Sequence, residues 1–142
     1  MKSEPVIVET DINAPVEKVW EAITDAAEMQ HWFFEVSEFK PAVGFEFSFY
    51  SGGEEQKFLH VCKVLEVEPY KLLSYSLAYD DMDGESVVRI ELSENMDITS
   101  VKLTHTGIES FPQDRPDFSR PTFENAWKEL IQISLKEYVE NK

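Results

Sequence analysis

The sequence predicts an α+β domain in which a curved antiparallel sheet closes around a long final helix. Three observations carry that expectation. Apolar residues recur with period two through the middle of the chain, helical periodicity takes over at both ends, and the connections between the period-two runs are short. A sheet wrapped on the last helix is the economical way to bury every apolar face at once.

Residues 5–12 alternate, with Val6 and Val8 (or Ile7) set against Glu9 and Asp11, and read as an opening strand. Asn13-Ala14-Pro15 starts a helix, with Asn13 or Ala14 as cap and the proline in the first turn, where its missing N–H goes unused. Val16, Val19, Trp20 and Ile23 then fall on one helical face. Thr24-Asp25 ends that helix, and Ala26–Trp32 reads as a second, short one. Five strands follow. Val43, Phe45, Phe47 and Phe49 alternate up to Gly52-Gly53, and Lys57–Glu68 runs on to Pro69. Leu73, Tyr75, Leu77 and Tyr79 alternate with serines and an alanine; Val88, Ile90 and Leu92 make the next strand, and Val101, Leu103 and His105 the last. Two phases compete within 57–68, Phe58, Cys62 and Val64 against Leu59, Val61, Leu65 and Val67, which calls for a bulge or burial on both faces.

Residues 108–121 contain three prolines and no period, and read as an ordered loop or lid. From Thr122 a broad apolar stripe is expected along a helix: Phe123, Ala126, Trp127, Leu130, Ile131, Ser134, Leu135 and Tyr138. No repeat or linker divides the chain, so residues 1–142 are read as one domain.

Thirteen basic against 28 acidic residues leave a formal charge of −15, which argues against nucleic acid or an anionic membrane as partner. No apolar run nears the roughly 20 residues that span a bilayer, and residues 1–10 lack the pattern of a secretion signal. A soluble, cytoplasmic protein without membrane insertion is expected. Asp80-Asp81-Met82-Asp83-Gly84-Glu85 lacks the ligand alternation of a calcium loop, and its Asp-Gly suits a solvated hairpin turn. Cys62 is the only cysteine, so neither an intrachain disulfide nor a cysteine metal cluster can form. His60 shares its strand face, but a buried, inert thiol is the simpler account. The three histidines show no metal-ligand spacing, and no phosphate loop, nucleophile elbow or His-Glu-x-x-His occurs. No metal and no cofactor are expected, and no catalytic residues are assigned.

The run Ile12-Asn13-Ala14-Pro15-Val16-Glu17-Lys18-Val19-Trp20-Glu21-Ala22-Ile23-Thr24-Asp25 resembles the opening signature of START-like (SRPBCC) proteins. The resembled branch is that homologous to the C-terminal domain of the heat-shock-protein-90 ATPase activator. His31-Trp32, Val43-Gly44-Phe45-Glu46-Phe47, Val64-Leu65-Glu66-Val67-Glu68-Pro69, Leu103-Thr104-His105-Thr106-Gly107-Ile108 and Trp127-Lys128-Glu129-Leu130 match later pieces in order. The resemblance implies a helix-grip fold: six strands curved around the C-terminal helix, two short N-terminal helices, and an apolar cavity between sheet and helix. It also implies a range of functions, from lipid or hormone binding through chaperone activation to polyketide cyclisation, so fold alone does not fix the activity. The chain has no room for the activator's separate N-terminal domain.

Strand phase and family position together nominate the cavity residues. They are Trp32, Phe33, Phe34, Phe45, Phe47, Phe49, Tyr75, Leu77, Val88, Ile90, Val101, Leu103, His105, Phe111, Phe123, Trp127, Leu130 and Ile131. The same residues fit a plain packed core, because apolar walls with few polar groups describe both. His105 is the most pointed polar group, either as a hydrogen-bonding contact or, with an orienting partner, as a base. The leading expectation is a protein that holds an unidentified hydrophobic or amphipathic small molecule. A chaperone-associated protein with an acidic docking face is the alternative, and a cyclase-like enzyme a third. The oligomeric state is not readable.

Overall fold

The computed structural model describes residues 5–33, 36, 38–52, 57–80, 82–112 and 119–142. Six strands form one antiparallel sheet in the order β1-β6-β5-β4-β3-β2. They are β1 (Val6–Ile12), β2 (Glu46–Gly52), β3 (Lys57–Glu68), β4 (Leu72–Tyr79), β5 (Ser86–Asn95) and β6 (Ile98–Thr106). The strands β2 to β6 are successive neighbours, while the chain crosses from β1 to β2 through α1 (Val16–Thr24) and α2 (Ala26–Trp32). A final helix, α3 (residues 120–141), lies across the concave face.

Local chemistry explains the helix ends, with one correction. Pro15 is itself the residue at the cap of α1, extended at φ −67 and ψ 156, and its ring makes no capping hydrogen bond. The N–H of Val16, which has no partner within the helix, donates instead to the carboxylate of Glu94 on β5 at 2.9 Å, an anion at the positive end of the helix. Asp25 caps α2 in the expected way, its Oδ1 accepting from Ala27 N–H at 2.9 Å. The α1 face Val16, Val19, Trp20 and Ile23 is buried as the spacing requires.

Strand phase is resolved by a register shift in β3 between Val64 and Glu66. Before the bulge, Phe58, His60, Cys62 and Val64 face inward and are buried. The extra residue then exchanges the faces, so Val67 of the second pattern packs on the core, while Val61 and Leu65 stay exposed. Strand β2 begins at Glu46 rather than at Val43, which sits exposed in a turn. As an inner strand, β4 is buried on both faces, so its outward Ser74 and Ser76 are buried too. The register sets Ser74 between Glu66 and Arg89, which pair at 3.1 Å.

Helix α3 departs most from the expected stripe. It starts at Arg120, with Pro121 in its first turn, rather than at Thr122. Lys128–Leu135 is wound as π-helix between α-helical ends. Its buried side chains are Phe123, Trp127, Ile131, Leu135 and Val139, one every four residues. In an α-helix such a row drifts about 40° per step, and the wider π turns take out part of that drift. Ala126 is consequently exposed, while Leu130, Ser134 and Tyr138 are only half-buried.

The same helix covers one edge of the sheet. Arg120, Gln132 and Lys136 donate to the carbonyls of Pro5, Glu9 and Asp11 along β1. Carbonyls of an edge strand that would otherwise invite another chain are thereby occupied.

Candidate functional site

Between sheet and helix, ten side chains surround a cavity of about 10 Å³, room for about one water molecule. They come from every layer: Ile23 of α1, Met29 and Trp32 of α2, Phe33, Phe39, Phe47 of β2, Leu73 and Tyr75 of β4, Ile90 of β5 and Trp127 of α3. Aromatic contacts tighten the wall. Phe39 meets Phe47 edge-on at 4.9 Å, Phe47 meets Tyr75 at 5.2 Å, and Phe33 stacks on Trp127 at 6.3 Å. The indole N–H of Trp32 donates to the carbonyl of Ala22 at 2.8 Å, fixing α2 on α1.

Trp127 also belongs to a second, polar group. Its Nε1–H donates to Nδ1 of His105 at 3.0 Å. An indole can only donate, so Nδ1 carries no proton and the neutral ring holds its proton on Nε2. That N–H points to Ser86 Oγ at 2.8 Å, and the Ser86 hydroxyl donates onward to the Leu77 carbonyl at 3.1 Å. Every polar atom of the relay is thus used. Burial pushes His105 down to about 3, so the imidazole stays neutral.

Ring contacts close a circuit around these groups. From Trp127 it passes through Phe33, Phe49, His60, Tyr79, Phe111, Phe123 and His105 and back to Trp127, each step between 4.5 and 6.3 Å. His60 stacks on Phe49 and donates from Nδ1 to the Phe58 carbonyl, and burial pushes it down to about 4. Burial pushes the Cys62 thiol up, which keeps it protonated and unreactive.

With this geometry in place, the family can be assigned. The family model described as "Activator of Hsp90 ATPase homolog 1-like protein" matches residues 13–140. The chain belongs to this family. Its solved relatives share the helix-grip fold of the START-like group. Protein MLL2253 of Mesorhizobium loti is 30% identical over 98% of both chains, with a TM-score of 0.78. DynU16, from the dynemicin biosynthetic locus, is 22% identical with a TM-score of 0.79; the match covers 98% of this chain but 48% of DynU16, so the chain spans about half its length. CalU16 of Micromonospora echinospora is 24% identical over 95% of this chain and 73% of its own, at a TM-score of 0.72. No curated protein matches the chain.

Within this family member the nominated residues fall into groups. Trp32, Phe33, Phe47, Tyr75, Ile90 and Trp127 are brought together on the cavity wall. Phe33, Phe49, His105, Phe111, Phe123 and Trp127 share the aromatic circuit. Leu77, Val88, Val101, Leu103 and Ile131 are buried core, while Phe45 and Leu130 are partly buried against it. Phe34 lies outside the described residues, as does Phe118 of the expected lid; of that lid, Ile108–Ser110 forms a short 3-10 turn and Phe111 is buried. Ile23, Met29, Phe39 and Leu73 line the cavity without having been nominated. Ile23, Met29 and Phe39 lie in the helices and the irregular stretch after them, where strand phase gives no direction; Leu73, two residues before Tyr75, shares its phase. Both ring nitrogens of His105 are engaged within the protein, Nδ1 accepting from Trp127 and Nε2 facing Ser86.

An acidic trio along α1 and α2, Glu21, Asp25 and Glu28, places carboxylates within 4.8 Å of one another. Lys142 pairs with Glu28 there and Tyr138 donates to it, which supplies the cluster's counter-charge from within the chain. Among the described residues no helix is long and apolar enough to cross a membrane.

Proposed function

We propose that this protein binds an apolar, ring-containing small molecule between the sheet and α3. The observation that carries the reading is the wall itself: ten apolar and aromatic side chains from both helical layers and the sheet converge there, with no charged group among them. DynU16, a protein of the same fold described as belonging to the dynemicin biosynthetic locus, supports a small-molecule role by analogy. At about 10 Å³ the cavity is nearly closed by its own side chains, so entry requires a wall to move. Phe33, half-buried directly after the seven-residue α2, is part of that wall and is held by ring contacts to Trp32, Phe49 and Trp127.

The test is a thermal-shift panel of polycyclic phenols, sterols and fatty acids on the whole chain. A true ligand at about 100 times its Kd stabilises by about 2.7 kcal/mol and raises Tm by several degrees. A flat response across the panel contradicts the reading. Chaperone association is the second reading, favoured by the family's description and the charge of −15. Salt-sensitive stimulation of a chaperone ATPase, alongside a flat panel, would favour it instead.

A further inference from the structure

The two edges of the sheet differ. Carbonyls along β1 are taken by Arg120, Gln132 and Lys136 of α3, whereas β2, at the other end of the strand order, has no strand on its outer side. Which backbone groups of β2 face outward follows from its register. The Val64 N–H donates to the Phe45 carbonyl at 2.9 Å, and one-to-one pairing with β3 continues from Glu46 opposite Lys63 to Gly52 opposite Lys57. Bonded and non-bonded pairs alternate along an antiparallel ladder, so Phe47 and Phe49 bond to β3. Glu46, Ser48, Tyr50 and Gly52 then point their N–H and C=O groups away from it, and among the described residues nothing meets them. Strand β2 also lacks the usual guards of an open edge, having no proline, no lysine and no bulge. In a chain of charge −15, the outward side chains beside it, Ser48, Tyr50, Leu59, Val61 and Ala78, are all uncharged. Tyr50 is 63% and Val61 41% exposed.

We propose that β2 pairs antiparallel with β2 of a second copy about a twofold axis, joining the two sheets into one. The strand is complementary to itself. Setting Ser48 of each copy opposite Tyr50 of the other also sets Glu46 opposite Gly52, so all four outward-facing residues find partners. The single charge on the strand then meets a glycine instead of another carboxylate, and Tyr50 and Val61 of both copies form one apolar strip across the junction. An extended segment of a different protein would have to supply both the register and the uncharged outer face, which β2 already has. The charge of −15 on each copy opposes their approach, so the dimer is weak and tightens as salt screens that repulsion.

Sedimentation velocity on the whole chain tests this, from about 10 to about 500 µM protein and at about 0.05 and about 0.5 M NaCl. Wild type is expected to pass reversibly from 16.5 kDa towards twice that mass as concentration rises, with a Kd several-fold lower at the higher salt. Ser48→Pro removes an N–H that no bond within the chain uses, so it should raise Kd about tenfold or more with the fold intact. Tyr50→Glu, a like charge beside the axis at an exposed position, should do the same. Oxidising a mixture of Ser48→Cys and Tyr50→Cys chains should link unlike chains, because opposite bonded residues stand about 5.5 Å apart at Cα. Cys62 is buried and does not compete. A monomer at every concentration and both salts overturns the proposal. So does a dimer that Tyr50→Glu leaves at wild-type strength, whether or not Ser48→Pro folds. A dimer that salt weakens rests on ion pairs elsewhere and overturns it too, and a dimer without the cross-link overturns this pairing.

Discussion

His105 shows how one residue's chemistry is decided by its neighbours. Its Nδ1 is held by a group that can only donate and its Nε2 faces Ser86, so the ring has one tautomer and one charge state. The consequence is a pH dependence with a fixed sign. In the unfolded chain His105 takes up a proton below about 6.5, whereas in the fold it does so only near 3. Between those values the unfolded state binds more protons, so stability falls as pH falls, by about 1.4 kcal/mol per pH unit for this one group. Urea titrations from pH 6.5 to 4.5 should show a slope to which His105 and the likewise depressed His60 both contribute, and His105→Gln should remove the His105 share of it. An unchanged slope in the variant would show that His105 does not titrate with unfolding. The phase of His105 was legible in the alternation with Val101 and Leu103. Its partners were not, because Ser86 and Trp127 stand 19 and 22 residues away on other elements.

Among the elements, the strands follow their sequence pattern and the exceptions have local causes. The bulge between Val64 and Glu66 is announced by two competing phases, though not its position. The π segment of α3 left no comparable mark, since Leu130 and Ile131 are equally apolar and only packing selects Ile131 for full burial. Turns carry their own strain. Met96 and Asp97, at φ 53 and 66, form the two-residue link between the paired Asn95 and Ile98. That link is left-handed at both positions, which Asn-Gly suits far better, and Met96 is 89% exposed and contributes no packing. The double change Met96→Asn with Asp97→Gly should stabilise by about 1 kcal/mol in thermal melts. Gly107→Ala should do the opposite, by about 1 kcal/mol or more, because φ is +85 there and a Cβ would sit 2.9 Å from the Glu85 carbonyl. Reversed signs would contradict the turn assignments.

At the scale of the whole molecule, helix and sheet are joined by a core whose centre is aromatic and whose few polar atoms are nearly all paired. The layer architecture was legible because each strand and helix has one apolar face to hide. The edge cover of β1 by Arg120, Gln132 and Lys136 was not, since these read as ordinary surface residues until the helix is laid across the strand. Nor was the extent of filling. Whether aromatic walls meet or stand apart depends on side-chain geometry that no periodicity encodes, and here they nearly meet.

The central claim is that a small molecule enters between the sheet and α3, and the three tryptophans provide a direct test. Trp32 and Trp127 line the cavity, while Trp20 is not among its walls and packs against Tyr70 at 6.0 Å. Titrating 2-naphthol into labelled protein and following the three indole N–H resonances should shift Trp32 and Trp127 in a saturable way and leave Trp20 in place. Indole signals that all stay fixed, or a shift confined to Trp20, would contradict the account.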